Sequence, residues 1–363
     1  MSAADDRTVI RTLAESLTAL PYQTWNFGDS VAFEALLEAS DLLGDDRWAA
    51  FAQGWARAWA SRATPYRELD CTAPGWAIVR LAERRADPYL LEAAVGLAEH
   101  LVARPTIRGL YRTWQHSPLM HPYGPARLAG REAAWVADAP PGSFLDCLHF
   151  DPPFLTALGR AVQSAPLLEA GVAQALTYVD VLQQADGLFD HFVLDGVPGT
   201  FGPGWGRGQG WAILGLLDVL DELDALDDPE PHAAARKALR GAVERLVARL
   251  VALQRSDGHW SAVVDDPASG DEFSTAAFMA AGFYRGLRTG VLGGREIEDA
   301  ARLATAAVRA GIGPDGTLAE VSAAVMACTE PSHYAHVPRG FRVPWGQGPA
   351  LLALAEGLRW EGR

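Results

Sequence analysis

The strongest constraint on the fold is an alternation between two kinds of helical stretch. Trp211-Ala212-Ile213-Leu214-Gly215-Leu216-Leu217 is apolar nearly all round, as a helix buried on every side must be. The stretch after it is amphipathic. Leu239, Val243, Leu246 and Leu250 form one stripe, while Arg236, Lys237, Arg240, Glu244, Arg245 and Arg249 take the other faces. Similar pairs recur with short turns inside each pair and long loops between pairs. Val31 to Leu43 is followed by Gly44-Asp45-Asp46, Trp76 to Arg85 by Ala86-Asp87-Pro88, and Phe273 to Thr289 by a Gly-rich turn. Periodicity predicts twelve helices, roughly over 6–20, 29–43, 46–62, 73–86, 88–103, 142–159, 166–184, 207–225, 231–254, 272–289, 294–310 and 346–360, with almost nothing that reads as strand.

Buried and outer helices alternating at 50 to 80 residues point to an all-α fold, an (α/α)6 barrel in which six hairpins form an inner ring within an outer ring. An open helical solenoid is the rival, but it has no need of inner helices that are apolar all round. No linker or shift of composition divides the 363 residues, so residues 1–363 are expected to form one barrel domain.

Composition removes several classes of function. The formal charge is -14, and Lys237 is the only lysine, so the surface repels phosphate backbones and anionic lipid; nucleic acid and membrane are not expected partners. No apolar run approaches the ~20 residues of a membrane span. The start, Met1-Ser2-Ala3-Ala4-Asp5-Asp6-Arg7, lacks the basic and apolar regions of a secretory signal, and the three cysteines have no CxxC spacing; a cytoplasmic location is expected. HExxH, paired Cys/His, EF-hand, GxSxG and Walker patterns are all missing, so neither a metal nor another cofactor is expected.

Because the long loops precede the inner helices, they should collect at one end of the barrel, and the candidate chemistry lies there. Tyr22-Gln23-Thr24-Trp25-Asn26-Phe27 precedes the second helix, and Tyr66-Arg67-Glu68-Leu69-Asp70 precedes the fourth. The largest loop, Arg104 to Gly142, carries Tyr111, Trp114, His116, His121, Tyr123 and Trp135 and is expected to be a lid or binding wall. Trp205-Gly206-Arg207-Gly208-Gln209-Gly210-Trp211 sets two indoles, a guanidinium and a carboxamide at a helix mouth. Trp205 shares a face with Gln209, and Arg207 with Trp211, which suits a polar, ring-shaped ligand. Glycine-rich chain with aromatics buried at a helix start is the plainer reading.

Leu69-Asp70-Cys71 and Leu145-Asp146-Cys147 each place a carboxylate at the loop end of an inner helix. Two carboxylates in one cleft can divide acid and base roles, with repulsion and desolvation raising one pKa and a helix N-terminus holding the other group ionised. Either aspartate can instead be a helix N-cap. Asp146 fits that role less well, being embedded in the apolar run Phe144-Leu145-Asp146-Cys147-Leu148. His149 follows it by three residues on the same helical face, and His191 ends Gly187-Leu188-Phe189-Asp190-His191.

These stretches resemble the signatures of the unsaturated glucuronyl and rhamnogalacturonyl hydrolases, glycoside hydrolase families 88 and 105. Trp205 to Trp211 is similar to W-x-R-G-[NQ]-x-W. Phe144 to Leu155 resembles W-[IL]-D-x-[LM]-x-M-x-x-P-F-L, with Phe144 in place of tryptophan and Phe150 in place of methionine. Gly187 to His191, Leu253 to Trp260, Ser274 to Phe278 and Trp345 to Leu354 match in family order. The resemblance implies the (α/α)6 barrel and an unusual reaction, hydration of the C4–C5 double bond that a polysaccharide lyase leaves on the terminal uronic acid of an oligosaccharide. By resemblance Asp146 is the general acid/base, and Asp70 falls where the family has a second aspartate. His191, Trp205, Arg207, Gln209 and Trp211 match subsite positions, and Trp25 and His149 complete the candidate sugar-binding set. Gln209 is the glucuronyl version, whereas the compact length and terminal segment look more like the rhamnogalacturonyl branch. A sugar epimerase working through histidines, a glycosidase on a saturated sugar and a non-catalytic carbohydrate-binding protein are the alternatives.

Overall fold

The computed structural model describes residues 3–22, 27–61, 72–325 and 329–362. Trp25 and Asp70 lie outside the described residues. Six helices form an inner ring: α2 (Asp29–Leu43), α4 (Gly75–Arg85), α7 (Cys147–Ala161), α9 (Gly206–Asp224), α11 (Phe273–Thr289) and α14 (Pro344–Glu361). Each packs on the next, and α14 packs back on α2, so the ring is closed. The outer helices are α1 (Ala3–Thr18), α3 (Arg47–Ala60), α5 (Pro88–Val102), α8 (Ala165–Leu182), α10 (Ala233–Leu253) and α12 (Arg295–Ala310). Five hairpins are consecutive in sequence. The sixth joins the first outer helix, α1, to the last inner one, α14, a closure that an open solenoid lacks.

Burial follows the hydrophobic pattern. Every residue from Gly206 to Leu220 is buried, whereas α10 buries the stripe Leu239, Val243, Leu246 and Leu250 and turns its arginines outward. Close approach within the ring depends on glycine. Pro152 has no N–H to give the Leu148 carbonyl, and α9 comes against that carbonyl through Gly215, where a Cβ would lie 2.2 Å from the oxygen. Gly215→Ala is expected to push α7 and α9 apart and to cost about 1–3 kcal/mol of stability, read as a lower midpoint in urea unfolding. An unchanged midpoint would mean that this contact is not tight.

Two expectations need correction. Six short strands are present, and the segment expected to be helical from 142 begins as strand β3 (Gly142–Phe144), with the helix starting at Cys147. Before it come β1 (Thr106–Ile107) and β2 (Leu110–Tyr111); after it come β4 (Phe192–Leu194), β5 (Ser261–Val263) and β6 (Asp266–Asp271). The pairs β1–β2, β3–β4 and β5–β6 are antiparallel. Five of these strands have two or three residues, too short to show alternation, and the six-residue β6 has no apolar alternation to show; Phe144-Leu145 is buried by a partner strand distant in sequence, which a local apolar run cannot distinguish from a helix. Two further short helices, α6 (Gly130–Ala137) and α13 (Pro331–Ala335), also appear. All these additions lie in connections that precede inner helices, so they are stitched together at one rim of the barrel. Among the described residues no helix is long and apolar enough to cross a membrane.

Candidate active site

The strand pair β3–β4 sets the geometry of the rim. Its ladder continues with a hydrogen bond from the Leu145 amide to the His191 carbonyl at 2.7 Å, which places Asp146 and His191 side by side. Asp146 stands at the N-cap position of α7, yet its side chain makes no capping hydrogen bond. It pairs instead with His191, Oδ2 to Nε2 at 3.2 Å, and its side chain is 13% exposed. His191 is buried, with its Nδ1 2.8 Å from the Tyr334 hydroxyl and its ring 4.2 Å from that of Trp205.

Asp146 and His191 open into a cleft lined also by Phe27, Trp114, Phe144, Trp205 and Arg207. Aromatic walls with one acid and few other ionisable groups suit the faces of a sugar ring and a single point of chemistry. Trp114 and Thr113 come from the long 104–142 connection, which therefore contributes to the wall of the cleft.

The remaining residues of the tryptophan–arginine stretch occupy three depths. Trp205 faces the cleft. Arg207 lies directly behind it with its guanidinium carbon 5.0 Å from the Trp205 ring centre. It is 0% exposed and donates to Glu272 Oε1 at 3.3 Å, Ser322 Oγ at 2.7 Å and the Ala323 carbonyl at 3.1 Å. Burial lowers its pKa, against the opposing pull of Glu272 and Asp146. Trp211 is deeper, in the ring interior, against Phe278, His149 and the edge of Phe27.

Gln209 is also 0% exposed, and its amide is fully engaged with backbone. Its Oε1 accepts from the Phe189 N–H at 2.8 Å, and its Nε2 donates to the Phe189 carbonyl at 2.8 Å and the Trp205 carbonyl at 3.1 Å. This clamp fastens the turn that carries His191 to the start of α9. Gln209→Leu strands the Phe189 groups in the interior and is expected to destabilise the protein by about 2 kcal/mol or more in urea unfolding, given about 1–3 kcal/mol for each buried group left unpaired. A sugar contact at Gln209 would instead raise KM and leave the midpoint where it was.

His149 lies apart from the cleft, below Trp211. Its Nδ1 meets Ser30 Oγ and its Nε2 meets Glu34 Oε2, each at 3.1 Å. Glu34, His149 and Asp218 offer atoms within 4.8 Å of one another, a metal-like grouping. The cation there is Arg285, which donates to Glu34, to Asp218 at 2.6 Å and to Glu356 at 3.0 Å. A larger hollow opens below this cluster, toward the C-terminal ends of the inner helices. Its arginines, Arg80, Arg84, Arg285 and Arg288, are each tied to a carboxylate.

Thr72, just ahead of α4, donates its Oγ1 hydrogen to Asp151 at 2.6 Å. Burial raises the Asp151 pKa to about 6, opposed by Arg104 and by the Thr72 hydrogen bond. Sequence reading missed Tyr334, Glu272 and Ser322. Glu272 carried a local signal, since its side chain accepts from the Thr275 amide as the cap of α11. Tyr334 and Ser322 carried none, because each meets the site only through tertiary packing.

The closed double ring of helices is an (α/α)6 barrel, with the carboxyl of Asp146 at the mouth of one inner helix. The sequence profile of Glycosyl Hydrolase Family 88 matches residues 2–361, and the chain belongs to that family. It is 24% identical to the unsaturated rhamnogalacturonyl hydrolase YesR of Bacillus subtilis (strain 168), over 99% of this chain and 95% of that protein. Among solved structures it is similar to a possible member of the GH105 family from Salmonella enterica, with a TM-score of 0.82 at 21% identity over 99% of this chain and 95% of that one. It is also similar to the unsaturated glucuronyl hydrolase of Bacillus sp. GL1, responsible for degradation of glycosaminoglycan, with a TM-score of 0.70 at 17% identity over 97% and 95% of the two chains.

Proposed function

We propose that this enzyme hydrates the C4–C5 double bond of a 4,5-unsaturated uronyl residue at the non-reducing end of a lyase-generated oligosaccharide. The observation that carries the reading is the placement of Asp146: a carboxyl at the N-cap of an inner helix that does no capping, is held by one histidine, and faces an aromatic cleft.

In this reaction Asp146 gives its proton to C4, and the alkene electron pair forms the new C–H bond. Positive charge then develops at C5 and is shared with the ring oxygen. A water oxygen bonds to C5 while the Asp146 carboxylate takes a proton from that water, so the group ends the step as it began. The resulting C5 hemiketal opens by breaking its bond to the ring oxygen, and the hemiacetal exposed at C1 releases the neighbouring sugar. Trp205 supports the ring by stacking, with Trp25 as a second aromatic contact, and Asp70 is the second carboxylate. Arg207 and Gln209 act by position: one braces Trp205 from behind, and the other holds the His191 turn. Trp211 and His149 support the cleft floor from the barrel interior.

Incubation with unsaturated disaccharides from pectin, glycosaminoglycan and ulvan tests the reading. Loss of the ultraviolet absorbance of the conjugated double bond on one class is the expected result. No loss on any of them would overturn it.

A further inference from the structure

We propose that Tyr334 is a positioning residue for the reaction, fixing the His191 tautomer and thereby deciding which oxygen of Asp146 carries the transferable proton. The inference rests on the reading of Asp146 as the acid. Tyr334 is buried on α13, far in sequence from the site, and its hydroxyl stands 2.8 Å from His191 Nδ1. The other ring nitrogen, Nε2, is 3.2 Å from Asp146 Oδ2. A neutral imidazole has one donor and one acceptor nitrogen. With the tyrosine hydroxyl donating to Nδ1, the proton of the ring is on Nε2 and is donated to Oδ2. An Asp146 oxygen that accepts this N–H does not also hold the acid proton, so the proton resides on Oδ1. Among the described residues Oδ1 has no hydrogen-bond partner, and Asp146 lines the cleft. The proton transferred to C4 therefore leaves from Oδ1, the oxygen that His191 does not engage.

The chain makes room for this arrangement at Gly202, whose φ is +68°. A Cβ there would lie 2.0 Å from the Tyr334 hydroxyl and 2.8 Å from His191 Cβ, so any side chain at 202 drives the two rings apart. The rings of Phe144, Phe192 and Trp205 also pack against the imidazole, and among the described residues none of them hydrogen-bonds Nδ1. Without the tyrosine hydroxyl, the tautomer protonated at Nδ1 becomes accessible. Nε2 then accepts from Asp146 and ties the acid proton up on Oδ2, in the bond to the imidazole.

The test has two arms. Imidazole 15N spectra of the wild-type protein, assigned by comparison with His191→Gln, are expected to show an unprotonated Nδ1 and a protonated Nε2 at His191. Protonation at Nδ1 would overturn the proposal, and this arm decides it even if Tyr334→Phe does not fold or no unsaturated uronide is turned over. The second arm is the kinetics of Tyr334→Phe: kcat is expected to fall about 10- to 10²-fold, the scale of a displaced catalytic group, with KM nearly unchanged and a mixed tautomer signal. Gly202→Ala is expected to shift the same signal in the same direction. An unchanged kcat, or a rise in KM alone, would show that Tyr334 merely fills space.

Discussion

Asp146→Asn is expected to lower kcat/KM about 10²- to 10⁴-fold on an unsaturated uronyl disaccharide, the usual worth of a positioned general acid/base. The loss should fall on kcat, because an amide of the same shape keeps the cleft but has no acidic proton to give to C4 and is not a base that can take one from water. Stability should hardly change. The Asp146 side chain makes no capping bond, and an amide oxygen in its place can still accept from His191, so the substitution forfeits no cap and keeps that contact. Kinetics together with urea unfolding would separate the two effects. A folded Asp146→Asn protein with full activity would remove this carboxyl from the chemistry, whereas a large fall in stability would identify it as a structural group.

The largest effect on stability is expected at Arg285. This guanidinium, on α11, bonds Glu34 of α2, Asp218 of α9 and Glu356 of α14, so one cation ties four of the six inner helices together. Burial by itself raises the Glu34 pKa, but Arg285 and His149 reverse the effect and bring it down to about 2. Asp218 moves the other way: burial, with repulsion from Glu34 and Asp221, holds it well above the ordinary range despite Arg285. Glu34 therefore contributes stability that is present above its ordinary value and is lost as pH falls toward 2, whereas Asp218 favours the fold at low pH and loses that contribution as pH rises through its folded value. Arg285→Met leaves the carboxylates buried without their cation and should cost about 3–5 kcal/mol at neutral pH. The deficit should shrink at mildly acid pH, where the uncompensated carboxyls can take up protons. Urea unfolding of both proteins at the two pH values checks this. A cost below about 1 kcal/mol would mean that the carboxyls are not held by Arg285.

The ring was legible in the sequence because its cause is local. A helix like Gly206 to Leu220, apolar on all sides, admits one kind of environment, and the amphipathic Leu239 to Leu250 stripe admits another. The strands were not legible, since β3 depends on a partner some fifty residues later. The site was half legible. Asp146, His191 and Trp205 were singled out by residue type and spacing, and they converge on one cleft. Gln209 and Arg207 were singled out for the same chemistry, yet they are spent on backbone and on Glu272, because polar groups drawn into a helix interior must find partners there. The same constraint governs His149, whose two nitrogens answer to Ser30 and Glu34. Residue type shows that a polar group needs a partner, but only the packed ring shows whether that partner is the protein or the ligand.

The most direct test of the proposed chemistry follows the fate of the double bond while the sugar is released in D2O. If Asp146 delivers its proton to C4, loss of the conjugated absorbance keeps step with appearance of the neighbouring sugar, and the uronyl product carries one deuterium at C4 from the outset. Release of that sugar with the double bond still intact in the uronyl ring would contradict the account, since it would place the attack at the anomeric carbon.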